Sequence, residues 1–381
     1  MESSVQPTLQ LYAAGFNAHG QLDPCDAGED IRTARKVYSE DTETSHMKVV
    51  FAGWSQTILS LDSKLWKCHG NQALNPDSLS DIDAQAGEYC TAGDHNSIQA
   101  YADGTGKLYW IENTKLVSTD SEDGPRVGQI ALAGNEHTAI TFKQAPASTM
   151  CHVVEFSSME KALAWYGDPS NAEVRPEAHH MLHGRCKSLL AGAATFLLLM
   201  EDGSVYTWGD PRHESLGRPI TGEDATPAEK PGVVEALGGL RITKIACGGW
   251  MNAALAGEDG ALYLWGAAAK PGSAHSIKCL REAEPGDLVL ADVMTAEESR
   301  TCPEPQHVVD VAVGAGHVAA ISAAGRVYVV GDNTSGQLGL GSQQDFFEDW
   351  QMVRALGPLE ARSVTCAPKG TFICAQPYPA R

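Results

Sequence analysis

The feature that most constrains the fold of this chain is a short apolar strand that recurs seven times. In six copies the strand ends in glycine, and in the seventh it ends in Ala-Pro. A unit this short cannot bury its apolar face alone, so a series of copies predicts sheets that pack against one another in an array. In chain order, the seven strands occupy residues 49–53, 89–93, 130–134, 189–192, 245–248, 311–314 and 364–368.

A β-hairpin follows this strand most clearly in the fourth, fifth and sixth copies. The dipeptides Asp202-Gly203, Asp259-Gly260 and Ala324-Gly325 each stand between an apolar run and a second, alternating strand. A glycine-containing turn between two such runs is a strong hairpin signal. The first two copies carry weaker versions at Asp62-Ser63 and Asp103-Gly104, and the third copy has no Asp-Gly turn. Each copy therefore predicts one antiparallel sheet.

The two ends of the sequence each carry half of one repeat. The seventh copy reaches only as far as Tyr378, whereas residues 11–15 and the loop after them match the half that is missing; the same loop is complete at residues 331–339. A ring whose last sheet combines both termini has no open edge, which is how propellers avoid edge-to-edge pairing. The sequence therefore predicts an all-β, seven-bladed β-propeller of four-stranded blades, closed by pairing of the N- and C-terminal strands.

The repeat resembles that of the regulator of chromosome condensation family. The resemblance rests on the Gly-x-x-His ending at His317, the Gly-x-Val-Tyr-x-Trp-Gly run ending at Gly209, and Gly-x-Asn-x-x-Gly-Gln-Leu-Gly at residues 331–339. It extends over nearly the whole chain and implies a single propeller domain over residues 1–381. It leaves the function open, because the family includes a nucleotide exchange factor for the GTPase Ran, a plant UV-B receptor and several adaptors.

The charge of the chain limits its partners. The sequence has 48 acidic residues against 28 Lys and Arg, a formal charge of −20, and no run of Lys and Arg. Such a surface repels phosphates, so we expect no direct binding of nucleic acid. The partner expected instead is a protein with a basic face, bound by this chain as a monomer or in a heterodimer.

Cysteine usage and hydropathy predict where in the cell this protein is located. No stretch of about 20 apolar residues could span a membrane, and residues 1–8 lack the basic and apolar segments of a signal peptide. The ten cysteines stand at scattered spacings without a Cys-x-x-Cys pair. This usage predicts reduced thiols in the cytoplasm or the nucleus.

Trp54 and Trp250 are the first candidates for partner binding, because each stands in the turn after the recurrent strand. Exposed aromatic side chains in turns on one face of a ring would act as binding hot spots. Near this turn most copies carry a polar residue, and His137, Asn252 and His317 are the further candidates. The plant UV-B receptor has clustered tryptophan at this turn in several blades. Since only two copies have one here, that role is not expected.

Several long segments between the strands are expected to be loops, which is where binding residues usually lie on a rigid scaffold. They are residues 111–128, 168–184, 210–241 and 267–306, of which the last is a long acidic loop insertion.

No pattern in the sequence predicts catalysis, a cofactor or a metal. His179, His180, His183 and Cys186 have spacings that zinc could use, but without a second ligand pair they are interpreted as part of a solvated loop. No Gly-x-Ser-x-Gly elbow is present. The run Gly104-Thr-Gly-Lys lacks the remainder of a phosphate loop.

The function favoured by these observations is a non-enzymatic scaffold or adaptor whose ring face binds one or a few proteins. One alternative is nucleotide exchange on a Ran-like small GTPase, which needs a binding face and no catalytic side chain. Another, also implied by the family resemblance, is partnership in a tRNA-modification, diphthamide-modification or histone demethylase complex. An enzyme built from residues that converge on the ring axis is the third class.

Overall fold

The computed structural model of this chain describes residues 9–39, 46–61, 65–71, 89–112, 115–118, 125–171, 173–257, 259–267, 275–284, 287–301 and 306–378. These residues form 27 β-strands in seven antiparallel sheets, together with three short α-helices. No helix among them is long and apolar enough to cross a membrane. The seven sheets are the seven blades that the repeats predict, which confirms the β-propeller.

The chain enters the ring in the middle of the last blade, which we number 7. This blade contains β1 (Gln10–Gly15) and β2 (Ile31–Ser39). Blade 1 contains β3 (Met47–Ala52), β4 (Gln56–Leu61) and β5 (Leu65–Gly70). Blade 2 contains β6 (Cys90–Gly93), β7 (Ile98–Ala102), β8 (Leu108–Glu112) and β9 (Lys115–Ser118). Blade 3 contains β10 (Val127–Leu132), β11 (Thr138–Phe142), β12 (Met150–Phe156) and β13 (Ala178–His183).

The remaining blades continue in the same order and return to blade 7. Blade 4 contains β14 (Cys186–Ala191), β15 (Thr195–Met200), β16 (Val205–Gly209) and β17 (Gly232–Val233). Blade 5 contains β18 (Ile242–Gly248), β19 (Met251–Ala256), β20 (Leu262–Gly266) and β21 (Val289–Leu290). Blade 6 contains β22 (Val308–Val313), β23 (His317–Ser322), β24 (Val327–Asp332) and β25 (Phe346–Met352). Blade 7 is completed by β26 (Leu359–Ala367) and β27 (Gly370–Pro377).

Blade 7 closes the ring with strands from both ends of the chain. Its strand order is β2-β1-β27-β26, and β1 is antiparallel to β27 with Leu11 opposite Cys374 and Ala13 opposite Phe372. The side chains of Leu11 and Phe372 are 1% exposed and lie in one apolar cluster with Leu59 of blade 1. The predicted closure by the terminal strands is therefore confirmed.

The first strand of each blade lies innermost, and neighbouring inner strands contact one another around the axis. We call the face at which these strands end the upper face and the face at which they begin the lower face. The connections after the first and third strands of a blade lie on the upper face. The hairpins between the second and third strands lie on the lower face, as do the links to the next blade.

The glycine at the end of an inner strand is required by the close approach of neighbouring blades. A Cβ on Gly248 would collide with the main-chain oxygens of Val313 and Gly314 in the next blade. A Cβ on Gly314 would lie 2.8 Å from the main-chain oxygen of Ala367 in blade 7, and closer still to the imidazole of His317 in its own blade. The recurrent glycine is therefore a packing requirement at the axis.

The core consists of apolar faces pressed together between blades. The second strands β4, β15, β19 and β23 are buried along their whole length. A strand covered on both faces loses the polar alternation of a half-exposed strand. In the sequence β15 accordingly reads as an almost continuous apolar run, Thr195-Phe-Leu-Leu-Leu-Met200, without polar alternation.

The outermost strands differ from the sequence expectation. The segments expected to be loops contain the fourth strands of blades 2 to 5, namely β9, β13, β17 and β21. An outer strand is covered by one neighbouring strand only and therefore needs little apolar character. Strand β13 alternates half-buried and exposed residues, and β17 and β21 have two residues each. Their sequences therefore gave no strand signal.

Short helices occupy the connections outside the sheets. They are α1 (Met159–Gly167), α2 (Lys278–Glu282) and α3 (Glu298–Thr301), with 3-10 turns at Pro24–Asp26, Arg212–Glu214, Glu235–Leu237 and Arg354–Leu356. The first helix is capped by Ser158, whose side chain accepts a hydrogen bond from the Lys161 amide at 3.2 Å. This helix lies on the upper face, at the rim of the axial opening.

Candidate interaction site

An opening of about 660 Å³ lies on the upper face at the ring axis. Its wall is formed by the ends of the inner strands and by the start of α1. Three exposed carboxylates face it, Asp94 from blade 2 and Glu136 and Glu160 from blade 3. No Lys or Arg is in this wall among the described residues. The opening is therefore a concave acidic surface.

Trp54 is half-buried in the turn after β3 on the same face. Its ring lies 5.0 Å from that of Phe16 in blade 7, and the Lys369 ammonium is 5.6 Å from the ring centre. The main-chain amide of Trp54 donates to the His95 carbonyl of blade 2. The indole is thus fixed between blades 7 and 2 and still has an exposed surface.

Trp250 is half-buried in the corresponding turn of blade 5. Its ring lies 4.8 Å from the imidazole of His213, and the Arg212 guanidinium is 5.1 Å from the ring centre. Arg212 is held by Asp210, with 2.6 Å between Nη2 and Oδ2. Each tryptophan therefore has one aromatic neighbour and one cation, as rings suited to cation–π contacts do.

Backbone strain is concentrated on the upper face. Among the described residues, the non-glycine residues with positive φ are Glu136 (74°), His213 (61°) and Glu214 (55°). Glu136 faces the acidic opening, and His213 contacts Trp250. Such conformations cost on the order of 1–3 kcal/mol each and tend to occur at functional sites. All three residues lie in connections on the upper face.

Asn252 lies under this surface and supports it. The side chain is 1% exposed, and its Nδ2 donates to the Ser215 carbonyl at 2.8 Å. The Trp265 indole donates to the same carbonyl at 3.1 Å. Because Ser215 follows the turn that carries His213, Asn252 holds in place the loop that packs against Trp250.

His317 is also buried, and it joins two blades. Its imidazole is 0% exposed, and Nε2 lies 3.0 Å from the Thr371 hydroxyl oxygen in blade 7. Burial lowers the pKa of this histidine to about 4, against an opposing effect of Asp332. His317 is therefore a neutral group in the interior at neutral pH. His137, by contrast, is half-exposed next to Glu136 on the upper face.

The structure therefore divides the five candidate residues. Trp54, Trp250 and His137 have surface on the upper face, while Asn252 and His317 lie beneath it. Trp54 belongs to blade 1 and Trp250 to blade 5, so a partner touching both must extend across the axial opening. The three carboxylates at the opening gave no signal in the sequence, because they stand in different blades and in no common motif.

The histidine-rich segment lies on β13 and is not a loop. His180 Nε2 is 2.6 Å from the Glu155 carboxylate, and the exposed His179 Nε2 is 3.1 Å from His152 Nδ1. Cys186 lies on the next strand, in blade 4. Within the described part of the chain, no group of three or more His, Cys, Asp or Glu side chains is placed to hold a metal ion.

The architecture defines this protein as a seven-bladed β-propeller built from one repeated unit. Residues 202–255 and 308–337 match the regulator of chromosome condensation (RCC1) repeat. The chain therefore contains RCC1 repeats in blades 4 to 6.

Several curated proteins are similar to this chain in sequence. RCC1 domain-containing protein 1 of Mus musculus is 26% identical over 371 residues, covering 86% of this chain and 87% of the relative. The ultraviolet-B receptor UVR8 of Arabidopsis thaliana is 24% identical, covering 84% of this chain and 70% of the receptor. The E3 ubiquitin-protein ligase HERC2 of Mus musculus is 29% identical over 54% of this chain, which corresponds to only 4% of the ligase.

Solved structures share the fold. Prp20p from Saccharomyces cerevisiae, a protein described with its binding to Gsp1p and histones, has a TM-score of 0.67 at 15% identity, covering 99% of this chain and 93% of Prp20p. Human WBSCR16 also has a TM-score of 0.67, at 17% identity, covering 97% of this chain and 100% of WBSCR16. At these identities the likeness concerns the fold alone.

Proposed function

We propose that this propeller is a non-enzymatic scaffold that holds a protein with a basic surface on its upper face. The proposal rests on the combination of acidic and aromatic side chains on this face. The acidic opening formed by Asp94, Glu136 and Glu160 lies between two half-buried tryptophans, Trp54 and Trp250. Indole rings supply large contact area at low entropic cost, and carboxylates around a concave surface attract and orient cationic side chains.

The chemistry of the upper face favours binding over catalysis. Each tryptophan ring lies next to a cation of this chain, Lys369 at 5.6 Å and Arg212 at 5.1 Å, so both rings are placed to make cation–π contacts. Prp20p, which shares the fold, is described with its binding to histones, and histones are the kind of basic partner proposed here. The nine cysteines that the structure describes are all free, which suits a reducing compartment such as the cytoplasm or the nucleus.

A second candidate function is nucleotide exchange on a Ran-like GTPase. The observation that favours it is the structural similarity to Prp20p, which also binds Gsp1p. An exchange factor must accelerate release of bound GDP, whereas a scaffold forms a stable complex without doing so. We expect this protein not to accelerate the release of labelled GDP from Ran. A hundredfold increase in the release rate would show that it is an exchange factor and not a scaffold.

The proposed function is tested with purified histone dimers as a basic probe and with variants of the upper face. Replacing Trp54 and Trp250 by Ala should weaken binding by roughly 30-fold per ring if both are hot spots. The Glu136→Gln/Glu160→Gln variant should weaken binding and reduce its dependence on salt.

The matched control removes two exposed carboxylates from the lower side, as Glu235→Gln/Glu297→Gln, with the same change in net charge. If the control weakens binding as much as the upper-face variant does, the attraction depends on total charge and not on the opening. If the folded tryptophan variant binds histone dimers as the unchanged protein does, Trp54 and Trp250 are not part of the binding site.

A further inference from the structure

The lower face has an axial opening of opposite charge. It encloses about 1120 Å³ and is lined by the beginnings of the inner strands of blades 1 to 5 and by neighbouring hairpins. Among the described residues, its wall contains one carboxylate, Glu201. The basic side chains in the wall are Lys48, Lys143, Arg185, Lys187 and Lys244. In a chain with a formal charge of −20, this is a marked concentration of positive charge.

Two of these lysines have no carboxylate partner among the described residues. Lys143 and Lys187 are exposed, and their ammonium groups donate to main-chain carbonyls, of Gly104 at 2.6 Å and of Thr243 at 2.7 Å. A neutral carbonyl orients an ammonium group without cancelling its charge. Both lysines therefore present positive charge at the opening.

The other basic groups are held by the surrounding wall. Lys244 pairs with Asp310, whose carboxylate also accepts from the amides of Val311 and Val364. Arg185 Nε is 3.5 Å from Glu201. The Lys48 ammonium lies 4.5 Å from the centre of the Tyr89 ring. The wall thus keeps a net positive charge, and a concave low-dielectric wall focuses that field into the opening.

We propose that the lower axial opening binds an acidic peptide segment of a partner protein. Its volume exceeds the range of about 300–1000 Å³ usual for small-molecule sites, and an open funnel suits a chain segment better than a compact ligand. A long nucleic acid would extend beyond the opening over an acidic surface that repels it. A peptide segment rich in Asp and Glu can place its carboxylates near Lys143 and Lys187, while the rest of the peptide extends out of the opening into solvent.

This inference does not depend on the proposed function of the upper face. The two openings have opposite charge and lie at opposite ends of the inner strands, so one ring can hold a basic and an acidic protein surface at the same time. Variants of the two faces should therefore act independently on the two kinds of ligand.

The test measures fluorescence anisotropy of a fluorescein-labelled Glu-Gly repeat peptide, with a Lys-Gly repeat peptide as the opposite probe. The Lys143→Gln/Lys187→Gln variant should bind the acidic peptide about tenfold more weakly than the unchanged protein. Raising the salt from about 0.1 M to 1 M shortens the Debye length from about 10 Å to about 3 Å and should weaken binding further. The Lys143→Arg/Lys187→Arg variant should retain binding and show that the charge is the requirement.

The matched control is Lys161→Gln/Lys278→Gln, which changes the net charge equally at exposed lysines outside the opening. Equal weakening in this control, or less than twofold weakening in the Lys143/Lys187 variant with an unchanged melting temperature, would overturn the proposal. Tripolyphosphate is the competitor. If it binds through the same lysines and more tightly than the peptide, the occupant is a small polyanion and the peptide assignment is wrong.

Discussion

The imidazole of His317 in blade 6 and the hydroxyl of Thr371 in blade 7 lie 3.0 Å apart inside the closed ring. The Thr371 hydroxyl donates to the Gln337 carbonyl at 2.7 Å, so its lone pair accepts from the Nε2–H of His317. Nδ1 is then the acceptor nitrogen, and it has no hydrogen-bond partner among the described residues. Burial disfavours the charged imidazolium and lowers the pKa to about 4, against opposing effects of the Asp332 carboxylate and the Gly370 main chain.

This lowered pKa makes the stability of the protein depend on pH. Below an ordinary pKa of about 6.5 the unfolded chain binds a proton at His317, whereas the folded chain does not until about pH 4. The free energy of unfolding should therefore fall by up to about 3 kcal/mol as the pH drops through this range. His317→Gln keeps a donor for Thr371 and cannot be protonated, so its urea-unfolding profile should be flatter. Identical pH profiles would contradict this role.

The closure of blade 7 can be tested at β1. Leu11 is buried against Phe372 and Leu59, so Leu11→Ala should lower the free energy of unfolding by about 2–5 kcal/mol. Gln10→Ala, at the half-exposed neighbouring position, should change it by less than about 1 kcal/mol. Deleting residues 1–22 removes β1 from between β2 and β27 and should cause aggregation. A soluble deletion variant with an unchanged melting curve would exclude the shared blade.

Arg218 should be essential for the loop after β16. Its guanidinium is 8% exposed and donates to the carbonyls of Thr207, Pro219, Thr226, Pro227 and Lys230 at 2.5–3.3 Å. Arg218→Met leaves these acceptors without a donor and should destabilise the protein by about 2–4 kcal/mol. Arg218→Lys can replace only some of these bonds and should be intermediate. Thermal melting and limited proteolysis of residues 210–231 measure the effect.

The thiols at the upper opening should react slowly. Cys247 and Cys366 are in its wall with part of their surface open, but the surrounding strands raise the pKa of each to about 12. At pH 8 their alkylation by iodoacetamide should be on the order of 1000-fold slower than that of an ordinary exposed cysteine. Cys25 is exposed and is the internal control.

The pH dependence of this reaction separates chemistry from access. If protonation limits the rate, alkylation of Cys247 and Cys366 should increase about tenfold per pH unit between pH 8 and 10. Quantitative mass spectrometry of peptides gives the rates. Rates that do not change with pH would mean that steric access, and not the raised pKa, protects these thiols.

The histidines of β13 are expected to bind no zinc. His180 is engaged with Glu155 at 2.6 Å, and His179 with His152 at 3.1 Å. Elemental analysis should therefore find no stoichiometric zinc, and a chelator should leave the melting temperature unchanged. About one zinc per chain, lost in His183→Ala/Cys186→Ser, would establish a site that these contacts argue against.

Much of the architecture follows from the sequence because each blade is specified locally. An apolar strand, its terminal glycine and an Asp-Gly turn all lie within one repeat, so periodicity alone predicts seven blades. The half-repeats at residues 11–15 and 364–378 predict the closure in the same way. The four-stranded blade is predicted, but the positions of the outer strands could not be, since a strand such as β17, with only Gly232 and Val233, has no periodic pattern to detect.

Only the tertiary structure decided which side chains form surfaces. Asn252 and His317 have the polar character of exposed turn residues, but the packing of adjacent blades brings Ser215 and Thr371 against them and buries both. The opposite charges of the two openings arise in the same way. Glu136 and Glu160, like Lys143 and Lys187, are isolated charges along the chain. Their side chains meet around the axis because the inner strands run side by side, and the local sequence of a repeat carries no information about that arrangement.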